Sequence, residues 1–211
     1  MSNLSSSDAL NVMAQTIADN RRRLGLCSGS TMLVWGYTCV AVSLLVWGGL
    51  VVFKHPAFNF LFFLIWIIGG TVTPHLLRRQ REQRGAVTTI DNILSRCWAV
   101  IAWVAILLTF ACLGLMLFAG KDAWEVMLLY PFVIVGVMLT VQGIALQERW
   151  CTTGGIIGLT IGLALTTAVC ADIELSMAWV MPTIIVGFIA MFIIPGHVLN
   201  HKYVQRCNST N

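Results

Sequence analysis

Few residues in this sequence could do chemistry at membrane depth, and four of them fall at a common level: His75, Gln142, His197 and Asn200. Each lies near the carboxyl end of an apolar run, beside residues that interrupt helical regularity, namely Pro74, Gly143, Pro195 and Gly196. Interrupted helices free carbonyls that can coordinate cations or polar ligands where they line a cavity. The four side chains are therefore a candidate polar vestibule. A metal or haem reading is poorly served, although His197 and His201 stand at i, i+4 and His75 could face His197. The chain has 4 histidines, one of them His55 at the far end of a span, and no carboxylate shares the depth of the others. No cofactor and no bound metal are expected.

Catalysis finds no other foothold. The sequence contains no Gly-x-Ser-x-Gly, no His-Glu-x-x-His and no Asp or Glu within an apolar run, so intramembrane hydrolysis lacks its nucleophile–base pair or acidic ligands. Ion-coupled transport meets a similar objection, because such carriers keep an ionisable group in the span. The expectation is a protein that is not an enzyme.

The elements that must position these residues are six runs without Asp, Glu, Lys or Arg: 31–53, 57–77, 97–119, 126–146, 152–171 and 177–199. Each has about the 20 residues an α-helix needs to cross a bilayer, and lipid offers no partners for unpaired backbone groups. Composition agrees, with 58% of the 211 residues apolar and only 10% charged, against about a quarter charged in soluble domains. The predicted fold is all-α: a polytopic transmembrane bundle over 30–211, preceded by a cytoplasmic amphipathic segment, 1–29, and divided by a basic cytoplasmic loop, 78–96.

Orientation follows from basic residues, which gather on the cytoplasmic side. With both termini inside, Arg21, Arg22, Arg23, Arg78, Arg79, Arg81, Arg84, Arg96, Arg149, Lys202 and Arg206 are cytoplasmic and only Lys54 and Lys121 are outside. Trp35, Trp98 and Trp150 then mark the inner boundary and Trp47, Trp124 and Trp179 the outer one, as amphipathic rings prefer. The first apolar run lacks a small-residue cleavage site and is long enough to span, so no cleavable signal is expected. A bacterial inner membrane suits minimal loops and the absence of a targeting sequence. The 7 cysteines lie at the inner face or within apolar runs and are expected as free thiols, and the sequon at Asn208 falls in the cytoplasm.

Short outer connections suggest three antiparallel hairpins, and these resemble one another. Pro131-Phe132-Val133-Ile134-Val135-Gly136 parallels Pro182-Thr183-Ile184-Ile185-Val186-Gly187, and Leu64-Ile65-Trp66-Ile67-Ile68-Gly69 offers a third version. Gly69, Gly136 and Gly187 become equivalent positions of an internal repeat. Two amphipathic preludes, Asp8–Arg23 and Thr88–Ser95, carry the related strings Thr16-Ile17-Ala18-Asp19-Asn20 and Thr89-Ile90-Asp91-Asn92. They are expected along the inner leaflet, with Arg21, Arg22, Arg23, Arg78, Arg79 and Arg81 on anionic lipid headgroups. Topology accounts for these arginines, and no nucleic acid partner is expected.

Gly154, Gly158 and Gly162, at four-residue intervals, form a small-residue stripe along which two helix backbones can approach. Its partner helix is expected within the chain. Two functions fit these features. One is a non-catalytic membrane module that oligomerises or binds a protein partner at its basic face; the other is a small uncoupled permease or channel ending at the polar vestibule. In outline, six helices in three hairpins are similar to small bacterial stress-associated membrane proteins and to the substrate-binding components of vitamin importers, a likeness of architecture without a shared motif.

Overall fold

The computed structural model describes residues 6–84, 89–120, 123–173 and 175–208, and they form helices with no strand among them. The order is α1 (Ser6–Phe53), a 3-10 turn (Pro56–Phe62), α2 (Phe63–Arg84), α3 (Thr89–Ala119), α4 (Trp124–Leu146), α5 (Arg149–Cys170), α6 (Met177–Phe188), a π-turn (Ile189–Ile193) and α7 (Ile194–Asn208). Six stretches are long and apolar enough to cross a membrane: Gly29–Phe53, Ala57–Arg78, Asn92–Ala119, Trp124–Leu146, Arg149–Cys170 and Met177–Lys202. The sixth crosses α6, the π-turn and α7. The expected preludes are not separate elements. Residues 8–23 belong to the 48-residue α1, which has no proline to break it before Phe53, and Thr89–Ser95 opens α3. The side chains of Arg21, Arg22, Arg23, Arg79 and Arg81 lie outside the described residues, as does Thr88.

The start of the first span and the end of the sixth share one face of the bundle, the terminal face. Gly29 lies against Gly196, with a Cβ at Gly29 falling 3.1 Å from the Gly196 carbonyl oxygen. Further along, Gly36 admits the side chains of Phe192 and Ile193. This terminal face also holds the α4–α5 turn, because Glu148 in that turn pairs with Lys202 of α7 at 2.5 Å. At the opposite face Phe60, from the 3-10 turn, meets Trp124 at the start of α4 edge-on, their ring centroids 5.2 Å apart.

The tightest helix pair is α4 with α5. Only Gln147 and Glu148 separate these helices, so they must lie side by side. Their backbones interlock through glycines: a Cβ at Gly136 would lie 2.7 Å from the Leu159 nitrogen, and one at Gly155 would lie 2.5 Å from the Thr140 nitrogen. Gly143 likewise receives Thr152. Without a hydrophobic force between helices in lipid, such close van der Waals contact is what holds them together. The turn itself has Gln147 at φ 56 while Glu148 donates its N–H to the Gly143 carbonyl at 2.8 Å. That is a left-handed helix end normally occupied by glycine. Gln147→Gly is expected to raise stability by up to about 1 kcal/mol and Gln147→Val to lower it, since a branched Cβ opposes positive φ. Thermal unfolding followed by size-exclusion chromatography checks both signs.

The glycine stripe of α5 is occupied inside the chain. Gly154 faces the Ala190 carbonyl and Pro195, Gly158 receives the Met191 side chain, and Gly162 abuts Phe132 and Val133 of α4. The Ala190 contact has a cause in the sequence. Ile194 donates to Ile189 across the π-turn and residue 195 is proline, which has no N–H, so neither of these positions caps the Ala190 carbonyl. That oxygen lies 2.6 Å from where a Gly154 Cβ would stand, the approach of a Cα–H to a carbonyl.

The buried core lies where α4, the sixth span and α1 meet. Phe132, Leu139, Ile184, Met191 and Leu199 are at most 1% exposed, and Phe132 packs against Phe188 with ring centroids 4.7 Å apart and the planes tilted by 35°. By contrast α2 and α3 contribute little to it and touch each other sparsely along their spans.

Candidate functional site: an intramembrane cavity

Because α2 and α3 stand off from the core, they enclose a cavity of about 570 Å³ together with α1, α4 and the sixth span. That volume is within the range of roughly 300–1,000 Å³ typical of small-molecule sites. No residue of α5 lines it, since α5 packs behind α4. Lining positions reach from Thr31, Ser95 and Leu146 near the terminal face to Asn59, Glu125 and Met177 near the other, so the cavity follows the bundle's height. Its wall is apolar for most of this length, with four tryptophans, Trp35, Trp66, Trp98 and Trp124, and the pliable side chains of Met32, Met127, Met177, Met181 and Met191.

Polar groups interrupt the wall at defined points. The Trp35 indole N–H donates to Thr73 Oγ1 at 3.0 Å, bridging α1 to α2. Trp98 donates to Gln142 Oε1 at 2.8 Å, bridging α3 to α4. Gly69 makes room for the Trp35 ring, which would collide with any Cβ there. These tryptophans, expected as interface anchors, thus also tie the two loosely packed helices to their neighbours. Among the described residues three buried hydroxyls have no hydrogen-bond partner, Thr31 Oγ1, Ser43 Oγ and Tyr130 Oη; Thr31 and Tyr130 belong to residues that line the cavity, and Ser43 does not. Other span threonines, such as Thr109, Thr140 and Thr166, return their hydroxyls to their own helix carbonyls four residues back. Orphaned buried polar atoms are uncommon in folded proteins and call for a water or ligand partner.

The four residues of the expected vestibule are not gathered at one place. Gln142 is 3% exposed and lines the cavity. His75, His197 and Asn200 are exposed and are absent from its wall. His197 instead meets the Tyr37 hydroxyl at 2.7 Å on the surface shared by α1 and α7. A common depth does not give a common direction, because each residue turns a helix by about 100°. The three glycines of the repeat are all buried, yet each receives a different neighbour: Trp35 at Gly69, Leu159 at Gly136 and Phe132 at Gly187. Among the described residues no group of three or more His, Cys, Asp or Glu is placed to hold a metal.

Sequence reasoning missed Thr31, Thr73 and Tyr130 as cavity residues. Hydroxyls are common in membrane helices and usually bond their own backbone, so no local signal separates these three from the rest. Comparison with protein-family models, with curated proteins and with solved structures finds no match for this chain.

Proposed function

We propose that this multi-pass protein is a non-catalytic membrane carrier or uncoupled permease that holds an amphipathic molecule in the cavity between α1, α2, α3, α4 and the sixth span. The observation that carries the proposal is the cavity itself, a largely apolar space of about 570 Å³ that follows the bundle's height and is interrupted by a few polar side chains, Asn59, Thr73, Ser95 and Gln142 among them. An amphipathic occupant matches both the apolar stretches and the polar interruptions, whereas a hydrated ion would meet too few polar groups. Self-association through the glycine stripe is the less favoured reading, because Gly154, Gly158 and Gly162 already have intrachain neighbours.

Two further features belong to the same proposal. The terminal face is cytoplasmic in a bacterial inner membrane, as the distribution of arginines implies, and anionic lipid contacts its basic residues. The first two hairpins descend from a repeat. In support, each sends an indole from its odd-numbered span to a polar side chain on its even-numbered one, Trp35 to Thr73 and Trp98 to Gln142.

Native mass spectrometry of the detergent-purified protein tests the cavity. One amphiphile per chain is expected to survive delipidation. Ala105→Trp, which projects a ring from α3 into the lined volume, should remove it while leaving thermal stability and oligomeric size unchanged. If the wild type retains no such molecule, or if Ala105→Trp holds it equally well, the proposal fails.

A further inference from the structure

Resting on the cavity reading above, we propose that the occupant enters sideways from the bilayer, through a gap between α2 and α3 at the level of Gly70 and Ala102, so that the molecule handled is one dissolved in lipid. The gap follows from how the two helices are held. The bond from Trp35 to Thr73 ties α2 to α1, and the bond from Trp98 to Gln142 ties α3 to α4. Among the described residues no hydrogen bond, ion pair or ring contact joins α2 to α3, and their backbones barely approach each other, although both helices line the cavity. Gly69 is the only buried residue described on α2, and Cys112 the only one described on α3.

Helix geometry places the gap beside the cavity. At about 100° per residue, Ala99 and Leu108 stand on opposite sides of α3, and both line the cavity, with Trp98, Ala102 and Ala105 between them. About half of the circumference of α3 thus meets the cavity, where a neighbour packed on that side would leave only a narrow edge. Away from the far mouth, every lining residue of α1, α4 and the sixth span is buried or half-buried, whereas Ala99 and Ala102 are exposed. On α2, Gly70 falls on the arc between the lining residues Phe63 and Leu77; it is exposed, and a Cβ there would meet nothing within 4 Å. Gly70 lies seven residues deeper than Leu77, and Ala102 seven deeper than Ser95, about 10 Å in each case. Two small residues therefore stand at one depth on the two helices that bound the opening.

Lipid makes such a gap both stable and passable. No hydrophobic force draws two apolar helix faces together in a bilayer, so α2 and α3 can each stay with the neighbour that shares an indole hydrogen bond. An amphipathic molecule concentrates in the bilayer and leaves water for it. Passing between α2 and α3, it exchanges one apolar surrounding for another, whereas entry from an aqueous mouth requires it to leave lipid for water first. An opening at this depth selects molecules that partition into lipid and excludes water-soluble solutes.

The test uses the full chain in lipid nanodiscs with two photoreactive probes, read by peptide mass spectrometry at Cys39 and Met191, which line the cavity and are at most 5% exposed. A phospholipid with a diazirine at the middle of one acyl chain is anchored in the bilayer and reaches these residues only sideways. A free diazirine-bearing benzyl alcohol reaches them by any route. Both probes should label Cys39 and Met191 in the wild type. Gly70→Trp should lose labelling there by the phospholipid, while keeping that by the alcohol and keeping phospholipid labelling of the exposed Leu117 and Phe118. Gly114→Trp should change neither, since a Cβ at Gly114 also meets nothing within 4 Å but lies outside the lining arc of α3. Wild-type labelling by the alcohol alone, phospholipid labelling that survives Gly70→Trp, loss of both probes in Gly70→Trp, or a loss that Gly114→Trp reproduces overturns lateral entry and leaves the cavity reading standing. A wild type that the alcohol does not label at Cys39 and Met191, or labels no less after Ala105→Trp, overturns the cavity reading and lateral entry together.

Discussion

Gly155→Leu is expected to be the most damaging single substitution in the bundle, lowering stability by about 3 kcal/mol or more, at or above the upper end of ordinary overpacking. A Cβ at this position would stand 2.5 Å from both the nitrogen and the hydroxyl of Thr140 and 2.8 Å from the Gly136 carbonyl oxygen. Two of these three atoms are backbone, so relief requires α4 and α5 to separate. Separation would remove the contact that replaces hydrophobic pressure in lipid. Gly158→Ala is the control, because the group it meets is the flexible Met191 side chain, which can turn away. Unfolding of both variants in mixed detergent micelles should show a large loss for Gly155→Leu and a loss under about 1 kcal/mol for Gly158→Ala. Equal losses would mean that the stripe at Gly154, Gly158 and Gly162 matters as much as the neighbouring row.

Phe132→Ala should come next, by way of a void instead of a collision. The ring is fully buried, occupies the space opposite Gly187, packs on Phe188, and abuts the Cα side of Gly162. Three spans therefore close on one side chain. Lipid is as apolar as the core, so the transfer part of the usual cost largely cancels and the lost contacts dominate. At about 24 cal/mol per Å³, a void of roughly 100 Å³ costs about 2–3 kcal/mol. The effect should appear in the same micelle unfolding assay, and Phe132→Leu should recover much of it. A neutral Phe132→Ala would show that this junction relaxes freely and that the core does not depend on it.

The two variants also separate what a reader of the sequence can and cannot find. Gly158 announces itself by spacing, since 154, 158 and 162 repeat every four residues. Gly155 belongs to no such series, and its importance depends on Thr140 and Gly136 arriving opposite it. The hairpin argument shows a related weakness. Brief outer connections drew attention to spans three with four and five with six, but the inner connection between spans four and five is just as brief. The closest packing is there, where Gly136, Gly143 and Gly155 allow it.

At the cavity the same division holds. Gln142 stood out as an uncharged polar residue in an apolar run, and it does line the space. His75, His197 and Asn200 stood out on the same grounds at similar depth but point elsewhere, His197 toward Tyr37. Trp35 and Trp98 were legible as boundary residues. Their hydrogen bonds to Thr73 and Gln142 were not, because each depends on a helix distant in sequence.

Sequence alone determined that the chain is helical and that six of its stretches are long and apolar enough to cross a bilayer, since backbone satisfaction in lipid and the length of an apolar run are local properties. Tertiary structure decided the rest: that α1 extends unbroken from Ser6 into the first span, that α4 locks to α5, that α2 and α3 stand away from the core, and that Thr31, Thr73 and Tyr130 line the cavity this leaves. The physical reason is rotational. An apolar helix carries no polar face to fix its azimuth, so which side chains meet is set by the glycines and rings of its neighbours and not by its own pattern.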